Sequence, residues 1–121
     1  MPALFVLLSM AIPSSTLTVP ITPYVEITPQ EIWIEALHQC ENPENIEKVW
    51  DTNNQWSYGY LQFQMGTWLS YGKEFGATRK NIGDDELQKK VAMSMLDKGG
   101  WKHWLNCGKV VRQSLGAYPL P

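Results

Sequence analysis

Glu41 stands where a carboxyl group can be made to hold a proton. The run Trp33-Ile34-Glu35-Ala36-Leu37-His38-Gln39-Cys40-Glu41 places Trp33, Ala36, Leu37 and Cys40 in an apolar stripe at three- and four-residue spacing, then meets Asn42-Pro43. Proline disfavours helical backbone in the residue before it, so the helix is expected to end about at Glu41. A carboxyl group at the junction of a buried helix and a loop can be partly desolvated. Desolvation favours the neutral acid and raises its pKa, which is the condition for general-acid catalysis near neutral pH. Read as an ordinary surface residue, Glu41 would only be a carboxylate mildly disfavoured at a helix C-terminus. Asp51, ten residues on, is a candidate second carboxylate, although as the start of Asp51-Thr52-Asn53-Asn54 it also reads as a turn residue.

Other residues could handle a substrate. Gly59-Tyr60-Leu61-Gln62-Phe63 reads as a glycine-started turn in which Gln62 offers both a donor and an acceptor. Gln62 would contact substrate or merely stabilise the turn, and Tyr60 would line a cleft or pack on its loop. Trp68 and Trp101 could stack on a flat ligand face, yet residues of that size usually belong to a core.

Cys40 and Cys107 leave three readings. A disulfide would close a loop of nearly 70 residues, worth about 4 kcal/mol in the chain-entropy model, and is expected in an oxidising compartment. Two free buried thiols are the plain alternative. Zinc is the third, since His38-x-Cys40 and His103-x3-Cys107 supply four potential ligands. His38 and Cys40 lie about 200° apart on a continuous helix, however, which speaks against a shared metal.

The elements that must position these groups are mainly helical. Thr28-Pro29-Gln30-Glu31 is a helix start, with Thr as N-cap, Pro at N1 and Glu at N3 completing a capping box. Val49-Trp50 suggests a short extended piece. Met65 to Tyr71 suggests a short helix. Another starts at Gly83-Asp84 with Leu87, Val91, Ala92 and Met95 inward and ends at Gly99-Gly100, and a last one runs from Gly108 to Leu115.

The 121 residues make room for one domain, expected over 29–116 with 117–121 as a tail. Residues 1–28 read as a signal peptide or hydrophobic N-terminus followed by a Pro/Thr-rich linker. The apolar run Leu4 to Ile12 is about half the ~20 residues a membrane-spanning helix needs, so no stable membrane span is expected. All six tryptophans fall in the remaining part and would supply most of the burial that a domain this small requires. A net charge of −2 argues against nucleic acid as a partner.

The ordered set Cys40-Glu41, Gly59 to Phe63, Thr67-Trp68, Val91 to Leu96 and Gly100-Trp101 to Cys107-Gly108 resembles the catalytic domain of resuscitation-promoting factors. Wider kin are soluble lytic transglycosylases and goose-type lysozymes. The resemblance covers about Ile32 to Gly108. It implies a small lysozyme-like fold, mainly α with little or no sheet, stapled by one disulfide between Cys40 and Cys107. It places the catalytic glutamate on Glu41 and sugar contacts on Gln62 and its neighbours. One departure follows the acid, where Asn42-Pro43-Glu44 stands in place of the usual Ser-Gly or Ser. No late tyrosine matches the one many transglycosylases hold near the acid, since Tyr118 lies too near the terminus.

The function these expectations describe is cleavage of the β-1,4 bond between N-acetylmuramic acid and N-acetylglucosamine in peptidoglycan. The protein would be a secreted or envelope-facing monomer, of a cell or a phage, with glycan strands as partner and no cofactor or metal. The alternatives are a hydrolytic lysozyme using Glu41 with Asp51, or a non-catalytic glycan-binding or virion module of the same fold.

Overall fold

A computed structural model describes residues 25–121; the apolar run and most of the linker, within residues 1–24, lie outside the described residues. Helix α1 spans Pro29–Glu41. It starts with the expected capping box: Glu31 N–H donates to Thr28 Oγ1 at 3.1 Å, and Thr28 N–H donates to Glu31 Oε1 at 3.0 Å. It ends at Glu41, and the Asn42 backbone leaves the helical region with φ −153°. Its inward face carries Trp33, Ile34, Leu37 and His38.

A small antiparallel sheet follows, made of β1 (Lys48–Trp50), β2 (Trp56–Tyr58) and β3 (Phe63–Gln64) in that spatial order. Val49 pairs with Ser57 and Ser57 with Gln64, while Trp50 pairs with Trp56. The Asp51–Asn54 segment is a turn, as its composition suggests, with Asn54 in the left-handed region at φ 61°.

Helices α2 (Met65–Tyr71), α3 (Asp85–Asp97) and α4 (Leu105–Leu115) complete the domain, with short 3₁₀ turns at Lys73–Phe75 and Gly100–Trp104. Asp84 caps α3 by accepting from Leu87 N–H at 3.0 Å. The core gathers Trp33, Leu37, Leu61, Phe63, Trp68, Val91, Met95, Trp104 and Val111. A buried indole N–H needs an acceptor. Trp33 donates to Gly116 O at 3.0 Å, Trp68 to Thr78 O at 2.8 Å and Trp104 to Leu61 O at 2.8 Å.

Within the 117–121 segment, expected as a tail, Tyr118 and Pro119 pack back onto α1. Tyr118 is buried edge-to-face against Trp33 with ring centroids 5.6 Å apart, and Gln30 Nε2 donates to Pro119 O at 3.0 Å.

Cys40 and Cys107 form a disulfide, with Cα atoms 5.6 Å apart, across 67 residues of sequence. This overturns the free-thiol and zinc readings, and among the described residues no cluster of His, Cys, Asp and Glu could hold a metal. The bridge ties the last turn of α1 to the first turn of α4, beside Glu41.

Candidate active site

Glu41 opens onto a cleft of about 500 Å³ between the end of α1, the three-stranded sheet and the start of α4. Asp51, Ser57, Gln62, Gln64, Thr67 and the segment His103–Cys107 share the lining. Burial, and then the negative charge of Asp51, push the Glu41 carboxyl up to about 7 from the ordinary 4.5. A carboxylic acid there is half protonated at neutral pH and can donate.

Asp51 is treated in the opposite way. Its Oδ1 accepts from Thr52 N–H at 2.7 Å and its Oδ2 from the Ser57 hydroxyl at 3.0 Å. These bonds, the backbone one foremost, hold its carboxyl below the usual range. The site therefore pairs a proton-holding acid with a fixed negative charge.

The turn that carries Gln62 is pinned carbonyl by carbonyl. Gln88 Nε2 donates to Tyr58 O at 2.9 Å, Asn42 Nδ2 to Gly59 O at 2.8 Å, His38 Nδ1 to Tyr60 O at 2.8 Å and Trp104 Nε1 to Leu61 O at 2.8 Å. The donors come from α1, the residue after it, α3 and the 3₁₀ turn before α4. Gln88 also accepts from Leu61 N–H at 2.8 Å. Gly59 is required here: its φ is +72°, and a Cβ would lie 2.7 Å from Gln88 Nε2. Gln62 sits in the left-handed region at φ 56°, lines the cleft, and donates from Nε2 to Gly59 O at 3.0 Å.

Asn42 fixes the loop that follows the acid. It is buried, and besides Gly59 O its Nδ2 donates to Ile46 O at 2.8 Å while its Oδ1 accepts from Ile46 N–H at 2.8 Å. The residue next to the acid thus closes the 42–46 loop and joins it to the Gln62 turn.

Three expected sugar contacts lie elsewhere. Trp68 is fully buried against Phe63, so no face is open to a ring. Tyr60 turns to the far side of α1, stacked on His38 at 3.6 Å with its hydroxyl donating to Glu35, and lines a separate groove. Trp101 packs over Gly108, with the Arg112 guanidinium 4.4 Å from its ring centroid, and does not line the cleft. Sequence reasoning missed Asn53, Ser57, Gln64, His103 and Asn106 as cleft residues. The Ser57–Gln64 pairing is the signal that could have found two of them, once the hairpin was recognised.

The model of the transglycosylase-like domain family matches residues 28–107. The chain belongs to this family. The matched span runs from the cap of α1 to the second half-cystine, and every residue lining the cleft falls inside it. A curated relative, resuscitation-promoting factor Rpf1 of Corynebacterium glutamicum, is 34% identical over 100 residues, which cover 82% of this chain and 47% of the relative. The chain thus spans about half the length of that relative. No solved structure matches it.

Proposed function

We propose that the protein cleaves the β-1,4 bond between N-acetylmuramic acid and N-acetylglucosamine in peptidoglycan, as a lytic transglycosylase with Glu41 as its acid and base. The observation that carries this reading is a carboxyl pushed up to about 7 by burial, at the head of a cleft within a transglycosylase-like domain. Protonated Glu41 gives its proton to the glycosidic oxygen as the bond to C1 breaks. The carboxylate then accepts the proton of the muramyl C6 hydroxyl as that oxygen bonds to C1, which restores the acid and consumes no water. Asp51, kept ionised by Thr52 and Ser57, stabilises the oxocarbenium-like charge that develops at C1. Gln62 would position the N-acetyl group.

Asp51 also favours a second reading. Two carboxyl groups whose environments push their pKa values apart are the pattern of a hydrolase, in which the ionised one assists water or attacks the sugar. Products separate the two routes: 1,6-anhydromuramic ends mark the first and reducing ends the second. Family and disulfide together point to a place of work outside the cytoplasm. Among the described residues no helix is long and apolar enough to cross a membrane.

Glu41→Gln keeps the shape of the side chain but cannot give up a proton. It should lower cleavage of purified peptidoglycan by roughly 10²–10⁴-fold while leaving the protein folded and glycan-binding. Wild-type rates in that variant, with Asp51→Asn inactive, would assign the acid to Asp51.

A further inference from the structure

Trp50 and Trp56 differ from the tryptophans of the core. They are 54% and 39% exposed, whereas Trp33, Trp68 and Trp104 are buried. They pair across β1 and β2, edge to face, with centroids 5.1 Å apart. Such a pair steadies a hairpin, but hairpin stability does not require so much indole surface in water. Large exposed aromatic area of this kind marks a contact surface.

The pair lies across the sheet from the cleft. Asp51, Asn53, Ser57 and Gln64 line the cleft, while their sequence neighbours Trp50, Asn54, Trp56 and Met65 line a hollow of about 220 Å³. One layer of strands separates the two, and the 51–54 turn borders both. The remaining lining is Gln55 and Tyr58, so the hollow contains no carboxylate. The Lys48 ammonium sits 4.5 Å from the Trp56 centroid, which leaves Trp50 as the more open ring. Aromatic faces beside neutral amides suit a pyranose: its C–H face lies on the indole, and its hydroxyl and N-acetyl groups meet Asn54 and Gln55.

We infer that this hollow is a secondary glycan site that holds a pyranose unit of the polymer outside the cleft. The inference rests on the proposed function for its ligand: because the 51–54 turn borders both hollows, a glycan leaving the cleft there would reach the aromatic side. Holding the polymer at two places lengthens its residence on the enzyme.

The test uses the full chain carrying Glu41→Gln, so that nothing turns over, and purified peptidoglycan sacculi in a pelleting assay. Adding Trp50→Ala and Trp56→Ala should weaken sacculus binding roughly tenfold, the scale expected when buried indole surface is lost. Unchanged affinity in a variant with normal circular dichroism would overturn the site. If the alanine pair unfolds the hairpin, Trp50→Phe decides, because it keeps an aromatic cross-strand pair; a loss of about threefold supports the site, and none overturns it. A dimer in sedimentation equilibrium that the tryptophan changes dissociate, without altered sacculus binding, would overturn it in favour of a second copy. Cleavage by the wild-type chain reports separately on the Glu41 reading. Tryptophan-dependent binding without cleavage would keep the site and reject the catalytic assignment.

Discussion

Glu41 and Asp51 face one cleft from two regions that handle charge differently. The end of α1 is packed, stapled by the disulfide and poor in donors toward its carboxyl, so burial favours the neutral acid. The hairpin turn is exposed, and its own Thr52 N–H and Ser57 hydroxyl satisfy the Asp51 carboxylate. The same functional group thus has its proton affinity moved in opposite directions by local structure alone. Packing makes an acid, and a turn makes an anion.

The largest break in this comparison should come from loosening the α1 side at Asn42. Asn42→Ala removes three hydrogen bonds and leaves Ile46 N–H and carbonyl groups without their buried partner. Stability should fall by about 2 kcal/mol, or roughly 10 °C in melting temperature. Cleavage by the still-folded variant should fall as well, because Asn42 ties the acid's loop to the Gln62 turn. A variant that melts lower but cleaves at the wild-type rate would reduce Asn42 to a structural role.

A smaller effect should follow on the hairpin side. Asp51→Asn removes the charge that adds to the rise of Glu41 but leaves burial, the larger cause, in place. The basic limb of the pH–rate profile should therefore move to lower pH without reaching the ordinary carboxylate range, and the rate should drop roughly tenfold. A limb that does not move would separate the two carboxyl groups electrostatically. Complete loss of activity would favour the hydrolytic route.

Much of this arrangement is legible in the sequence where the signals are local. The capping box at Thr28, the stop at Asn42-Pro43 and the Asp84 cap each act within a few residues, so α1, α3 and the placement of Glu41 follow from spacing. The sheet is harder to read because its strands are two or three residues long, too short for a period of two to show. Side-chain direction in the Gly59–Phe63 turn was not legible either. The left-handed residues Gly59 and Gln62 bring Gln62 to the cleft while Tyr60 turns to the opposite side. Trp68 has the type of a sugar-stacking residue, yet the apolar environment of α2 buries it. Tyr118 packs on Trp33, 85 residues away in sequence, a contact that no local pattern encodes.

Direct titration of Glu41 tests the account most closely. Carboxyl carbon shifts of labelled glutamate, followed by NMR from pH 3 to 9 and assigned with Glu41→Gln, should show one glutamate titrating near 7. Because the proposed reaction needs the protonated form, cleavage should decline as pH rises through that same value. A Glu41 that titrates near the ordinary 4.5, with activity undiminished above neutrality, would contradict the claim that burial at the end of α1 creates the catalytic acid.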